Sequence, residues 1–537
     1  MTNYRLVFIP SAADLSHIAL QNPAIHSLLQ VPLAAIERID RDRRSKDFSG
    51  PVNLVISCKD FRILRVAIRS AGHGGTGDHD VERAISVMAA YCFPNNMRFL
   101  FAFSHKFAQL GVEYAPEPYD AALEFSRMGV LDNPYWRVTG ANASYKLCNT
   151  YPQWLVVPSL ITDEELHVVS AFRSGHRLPV MCWCNKQGIS MWRSSQPKAG
   201  VSGTCTQDER MLDAIARSMH QSHTPSTGTY RKRSSSIVEP VLYIVDCRSR
   251  TSAMANRAAG AGYESQTNYP HTRLDFYSIS NIHGVRDSYK AMAALLLSPQ
   301  ASVSSDLTFL KMAEDTQWLT YTRTILKASL DTANLLNGGF PVLVHCSHGW
   351  DRTAQVCSLA QLFLDPYYRT FEGFRVLIEK EWVALGHPFQ MRSAHAQDKS
   401  SRAEDQMSPV MIQFLDCVWQ ILHQFQHYFE FNSRYLLSIA DHVYSGRFGT
   451  FLFSCDYDRD LYNTRHLCAD LWTYLNQNRG IFANPFYQEG HGVLLPPLSL
   501  MLRNVTLWKD YFFRWSAAPS LMPTPIQLSQ LLHFDGM

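Results

Sequence analysis

A chain of 537 residues, 46% apolar and 18% charged, has the composition of a globular protein with room for two or more domains. Its net charge of +3 gives no global reason to expect nucleic acid as a partner, although a local basic face is compatible with it. The apolar run Leu6–Pro10 is too short for a signal peptide, no run approaches membrane-spanning length, and the final HFDGM carries no lipidation signal. The 12 cysteines lack paired C-x2-C spacing, which argues against zinc and for free thiols in a reducing compartment. The expectation is a soluble intracellular protein.

Residues 4–9, 52–58 and 61–69 carry the β-branched and apolar pattern of strands. Between the first two, Ile36–Asp47 reads as a mixed-charge turn with a basic excess, and Val81–Tyr91 reads as a helix. Together these predict a small β-rich domain with a closing helix over residues 1–115. The remainder, 116–515, reads as α/β. Pro341–His345 is a short apolar strand, and the spacing of Val356, Leu359, Ala360, Phe363 and Leu364 predicts a helix over Thr353–Leu364. Val410–Phe425 repeats that spacing. Ser222–Ser236 and Ser393–Ser408 are polar stretches expected to be mobile loops, and residues 516–537 to be a tail.

Most of the chemistry is concentrated in Val344–Gln355, VHCSHGWDRTAQ, where Cys346 and Arg352 stand in the order C-x5-R. On the order of one such match is expected by chance among a dozen cysteines. Cys92–Arg98 is that decoy: it has no glycine, no following Ser or Thr, and no strand ending at the cysteine. Cys346 instead follows a strand and precedes a helix N-terminus, where amide groups and the helix dipole favour an anion and lower a thiol pKa. Gly349 would let the backbone curl around a phosphate. Arg352 offers a planar two-pronged grip on its oxygens. Thr353 is placed to hydrogen-bond the sulfur when it leaves, and Asp351 to protonate a leaving oxygen. The pattern implies phosphate-ester cleavage through a cysteinyl-phosphate.

VHCSHGWDRTAQ closely resembles the myotubularin signature, usually written HCSDGWDRT. Ala253–Glu264, Asn281–His283, Asp365–Thr370, Leu377–Trp382, Ser408–Gln420 and Phe448–Phe453 are similar to that family too, and Cys58–Arg62 (CKDFR) looks like part of its PH-GRAM domain. Phe125–Val130 and AMANRAAG look closest to the subgroup with short C-terminal extensions. The resemblance runs from about residue 4 to about residue 515. It implies an α/β (α+β overall) fold: a cysteine-dependent phosphatase domain with a central sheet flanked by helices, preceded by a PH-like β-barrel whose first strand is expected to be missing. It implies removal of the 3-phosphate from phosphatidylinositol 3-phosphate and phosphatidylinositol 3,5-bisphosphate, without metal or cofactor. Cys346 would be the nucleophile, Arg352 the phosphate clamp, Asp351 the general acid and Thr353 a helper. Ser347, His348, Gly349 and Trp350 would cradle the phosphate. Asn256, Asn281 and Ile282 would contact substrate, and Arg392 would reach the headgroup's other phosphates. The implied partners are phosphoinositide membranes, endosomal or other, and a second copy or related chain in a dimer.

Two positions depart from the family pattern. His348 replaces an aspartate, which should raise the positive potential, the more so with a partly protonated imidazole. Pro388 replaces a lysine or arginine, removing a cationic contact. Two further readings therefore stay open: a phosphoinositide-binding scaffold with impaired turnover, and a protein tyrosine phosphatase. Other patterns read as structural. Gly72–Gly77 matches G-x-G-x-x-G without the rest of a dinucleotide fold. His423 and His427, four apart on a helix, lack a third metal ligand. Cys182 and Cys184 share one strand face as core. Arg231–Arg233 and Arg38–Lys46 are basic clusters that would suit either solvent or anionic lipid.

Overall fold

The computed structural model describes residues 1–8, 30–41, 52–68, 78–106, 119–221, 240–298, 306–396 and 405–515. Gly72–Gly77 and Ser222–Ser236 lie outside these, as do the tail and Arg231–Arg233.

The N-terminal region holds two small antiparallel sheets. β1 (Arg5–Val7) pairs with β2 (Gln30–Pro32), and β3 (Ile36–Arg41), β4 (Val52–Cys58) and β5 (Ile63–Ile68) form a three-stranded sheet in that order. The helix Asp78–Cys92 follows, and its Val81 and Cys92 are buried. This arrangement is compatible with a PH-like module. The expected turn over Ile36–Asp47 is instead strand β3 through Arg41. Ile36 is buried and Ile39 pairs with Ile56, while Glu37 and Arg38 face solvent at a register shift, so pairing with β4 outweighs charge content.

The CKDFR segment is the turn between β4 and β5, and it plugs into the rest of the molecule. Phe61 holds φ +69°, a costly conformation for a bulky residue. It is held there by packing: its ring stacks on Tyr289 at 4.1 Å and lies against Tyr511 and Phe512. The Tyr289 hydroxyl donates to Lys59 O at 3.1 Å.

The larger region is built on a five-stranded sheet of β8 (Val180–Cys184), β9 (Ser190–Ser195), β10 (Leu242–Asp246), β11 (Thr272–Phe276) and β12 (Val342–Cys346), in the order β11-β10-β12-β9-β8. All neighbours are parallel except β8 and β9. A two-stranded ladder of β6 (Trp136–Thr139) and β7 (Leu155–Pro158) lies outside it. β12 is central and buried at every residue, as a continuous apolar run in a parallel sheet requires. The helix Arg352–Leu364 that follows is buried at every position after Arg352, and Trp318–Asn337 and Val410–Gln424 are among the helices enclosing it. No described helix is long and apolar enough to cross a membrane.

Cys92 is a buried helix-end residue whose thiol burial pushes up to about 12. The helix expected over Val410–Phe425 ends at Gln424, so His427 lies in the next turn, its Nδ1 on Phe486 O, and no i,i+4 histidine pair exists. Cys182 and Cys184 are both core, but the register shifts between Met181 and Trp183. Cys182 and Cys357 approach Glu381 within 4.8 Å, but that carboxylate is already held by Arg193 and Gln361. Of the polar stretch 393–408, Ser393, His395 and Ser408 are buried and Ser408 N donates to Arg392 O, so its described ends are packed rather than mobile.

Candidate active site

The carboxyl ends of β9, β10 and β12 lie side by side, with Cys346 opposite Ser195 and His345 opposite Asp246. Parallel sheets bind ligands in this crevice. From Cys346 the chain makes a tight loop and enters the Arg352–Leu364 helix with Asp351 at its N-cap. Gly349 is the pivot: it holds φ +72°, and a Cβ there would lie 2.2 Å from Ser194 O. Its amide points at Cys346 Sγ, 3.3 Å away.

The loop is fixed from below by buried cations. Gly349 O accepts from Arg193 Nη2 at 2.7 Å and Arg177 Nη2 at 3.1 Å. Arg193 is neutralised by Glu381 at 2.7 Å, presented by the wide turn Glu379–Ala384. Arg177 has no carboxylate partner among the described residues. Its guanidinium meets carbonyls, Thr150 Oγ1 and the Tyr151 ring, and burial holds its pKa below the usual range. Gln196 N donates to Ser347 O, and His387 Nδ1 lies 3.0 Å from Trp350 O. Beneath Cys346, His345 Nε2 meets Glu264 at 3.0 Å, and Glu264 also binds Arg173 at 2.7 Å.

Burial pushes the Cys346 thiol up, but Arg352, then the hydroxyl and amide of Thr353, more than offset it and hold its pKa below that of a free cysteine. Thr353 Oγ1 is buried without a well-aligned hydrogen-bond partner, yet close enough to favour the thiolate. Arg352 is partly exposed and makes one hydrogen bond among the described residues, Nη1 to Ile279 O at 3.2 Å. Its fork is thus placed beside the sulfur.

Asp351 and Arg392, both expected at the site, hold each other. Arg392 grips Asp351 with two hydrogen bonds, Nε to Oδ1 at 3.0 Å and Nη2 to Oδ2 at 2.9 Å, and its Nη1 donates to Gln406. Arg392 is buried, so its fork faces Asp351 rather than the open crevice. Burial would raise the Asp351 carboxyl, but Arg392, His387 and Arg352 hold it at about 2. His387 itself is pulled down by burial to about 4.

His348 is exposed and stacks on Trp350 at 4.8 Å. Desolvation, with Arg177, Arg392 and Arg352 nearby, holds its pKa below the ordinary value, against the partial protonation expected from the sequence. Pro388 caps the short helix Phe389–Arg392. Asn256 reaches the loop: its Nδ2 donates to Gln196 Oε1 at 3.0 Å and lies 3.4 Å from Ser347 Oγ. Asn281 caps the helix Ile282–Leu296, its Oδ1 accepting from the amides of His283 and Gly284, and Ile282 O accepts from Ser408 Oγ.

Sequence reasoning missed Arg177, Arg193, Gln196 and Cys247, and assigned no role to Glu264 or His387. A lone arginine in the wholly buried strand Ser190–Ser195 was the available signal, since a buried charge demands a partner. Cys247 follows β10 beside Cys346, and its buried thiol is pushed well above the ordinary range.

Comparison with known proteins places the chain in a family. Residues 100–460 match the family model described as a myotubularin-like phosphatase domain. The chain is 38% identical over 535 residues to myotubularin of Xenopus tropicalis, covering 98% of this chain and 81% of that one. It is 37% identical to myotubularin of Rattus norvegicus, with the same coverage. It is also 38% identical over 539 residues to a Pongo abelii protein named phosphatidylinositol-3,5-bisphosphate 3-phosphatase MTMR2, covering 97% of this chain and 75% of that one. With a thiol of lowered pKa held in a tight loop between strand and helix, and similarity along nearly its whole length, the chain belongs to the myotubularin family of phosphatases.

Proposed function

We propose that the chain removes the 3-phosphate from phosphatidylinositol 3-phosphate and phosphatidylinositol 3,5-bisphosphate through a cysteinyl-phosphate on Cys346. The observation that carries this reading is the loop itself: one thiol of lowered pKa, faced by the Gly349 amide and the Arg352 fork, over an Arg177 with no carboxylate partner among the described residues. The substrate class comes from the relative named for that activity.

Cys346 Sγ attacks phosphorus in line. The S–P bond forms as the P–O3 bond breaks, and Arg352 with the loop amides holds the equatorial oxygens. Asp351 gives its proton to the inositol oxygen, and water then cleaves the S–P bond with Thr353 supporting the departing thiolate. The grip of Arg392 favours the ionised form of Asp351. A bound dianionic phosphate both repels that carboxylate and competes for Arg392, so substrate itself promotes protonation of Asp351. Ser347, His348 and Trp350 border the phosphate, Asn256 orients Ser347, and Asn281 and Ile282 set the start of the helix flanking the crevice.

The test is phosphate release from short-chain phosphatidylinositol 3-phosphate, the 3,5-bisphosphate and the 4-phosphate, wild type against Cys346→Ser. Release from the two 3-phosphorylated lipids, lost in the mutant, is expected. Release confined to phosphotyrosine peptides would favour the tyrosine phosphatase, and binding without release the scaffold.

A further inference from the structure

Beneath the catalytic loop, a chain of buried polar groups ends on a single carbonyl, Gly349 O. Arg193 Nη2 donates to it at 2.7 Å, and Arg193 Nη1 donates both to Glu381 Oε2 at 2.7 Å and to Glu381 O at 2.8 Å. The turn Glu379–Ala384 that carries Glu381 is π-helical, a wider winding than the helix Phe371–Ile378 before it. The second carboxylate oxygen is fixed as well. Glu381 Oε1 accepts from Gln361 Nε2 at 2.8 Å, and Gln361 Oε1 accepts from Lys380 Nζ at 2.7 Å. Lys380 donates further to Tyr368 Oη at 2.6 Å and to Glu124 Oε1 at 3.1 Å. All of these side chains are buried, and the charges match in pairs: Arg193 with Glu381, Lys380 with Glu124. Replacing a buried ion pair with neutral groups of similar volume is often neutral or stabilising, so stability alone does not account for the first pair.

The peptide plane supplies a reason. Every described peptide bond is trans, and in a trans peptide the carbonyl of one residue and the amide of the next point opposite ways. Holding Gly349 O against Arg193 therefore turns the Trp350 N–H away from the buried cations. The same anchor steadies Gly349, whose own amide meets Cys346 Sγ at 3.3 Å. Arg177 shares the carbonyl at 3.1 Å and has no carboxylate partner among the described residues. Without Glu381, two bare guanidinium groups would crowd one oxygen and repel each other.

We propose that Glu381 is a positioning residue for the Cys346 reaction: through Arg193 it holds the Gly349 carbonyl outside the loop and so aims the Trp350 amide at the equatorial oxygens of the phosphoryl group. Glu381 acts only through Arg193, and the role rests on the reaction proposed above.

The test compares the wild-type full chain with Glu381→Gln and with the double variant Arg193→Met, Glu381→Gln. The double variant removes both charges together and avoids the unpaired buried cation that destabilises the single one. Two readings are taken well below each melting temperature. One is phosphate release from short-chain phosphatidylinositol 3-phosphate. The other is iodoacetamide labelling of Cys346 and Cys247 from about pH 5 to about pH 9, resolved by peptide mapping. In both variants kcat should fall on the order of 100-fold with KM within about threefold, because the Trp350 amide serves the transition state. Cys346 labelling at about pH 6.5 should slow roughly tenfold, as the Gly349 amide turns from the sulfur, while Cys247 labelling stays unchanged. A mere counter-charge role predicts the reverse in Glu381→Gln: the unpaired Arg193 would favour the thiolate and speed labelling. Faster or unchanged Cys346 labelling in Glu381→Gln overturns the proposal, and so does a double variant with wild-type kcat. A merely structural role would loosen the fold and speed Cys247 labelling in both variants, and that result overturns it too. Labelling needs no lipid, so a wild-type chain that releases no phosphate would sink the proposed reaction while the thiol readout still decides the role of Glu381.

Discussion

Two cysteines stand side by side at the carboxyl edge of the central sheet, and their surroundings give them opposite chemistry. Cys346 ends β12 and Cys247 follows β10, and both are buried. Burial raises both thiols. At Cys346 the arginine of the next helix turn, the Gly349 amide and Thr353 more than offset that cost. At Cys247 the same groups are too weakly placed, and the neighbouring Cys346 adds to the rise. Reactivity therefore comes from the loop that follows the strand, not from the sheet edge or from depth of burial.

Breaking each side separately gives the largest expected effect. Cys346→Ser should lower phosphate release by about 10⁴-fold or more, whereas Cys247→Ala should leave it within about threefold. Steady-state assay of both variants checks this. Alkylation sharpens the contrast without mutation. At pH 6.5 iodoacetamide should modify Cys346 on the order of 100 times faster than Cys247. Orthovanadate should protect Cys346, and peptide mapping reads both sites.

Gly349→Ala tests whether loop shape creates the difference. The positive φ and the approach to Ser194 O should together cost about 3 kcal/mol of stability. Activity should fall roughly 100-fold, and the Cys346 alkylation rate should fall toward that of Cys247. Thermal melting and the same alkylation assay check it.

Arg392→Gln probes the acid rather than the nucleophile. Its grip holds Asp351 at about 2, so removing it raises that pKa. A general acid works only while protonated, so the alkaline limb of kcat should move to higher pH by about one unit. KM should rise about tenfold if substrate also meets Arg392. A pH–rate profile that does not move would remove Asp351 from the acid role. The smallest effect belongs to His348→Asp. The imidazole is exposed and its pKa is lowered, so the change should shift KM by no more than about fivefold and leave kcat nearly unaltered.

The loop was legible in the sequence because strand, turn, clamp and helix start are contiguous from Val344 to Gln355, and each residue's role follows from its neighbours. Groups brought together by the register of non-consecutive strands were not legible. Cys247 lies 99 residues before Cys346 in the chain, and Arg177 and Arg193 approach Gly349 from strands and loops far upstream. The Arg392–Asp351 pair was hidden for the same reason: both residues were singled out, but only the folded chain shows that they hold each other. At Ile36–Arg41 composition pointed to a turn, and pairing with β4 produced a strand. The histidines at 423 and 427 failed as a pair because the helix ends at Gln424.

The most direct test of the central claim is a rapid acid quench of wild-type protein turning over short-chain phosphatidylinositol 3-phosphate labelled at the 3-phosphate, followed by peptide mapping. Label on the peptide containing Cys346, formed and lost at rates consistent with turnover, is the predicted result. Full-rate release with no label on Cys346, or label on another residue, would contradict it.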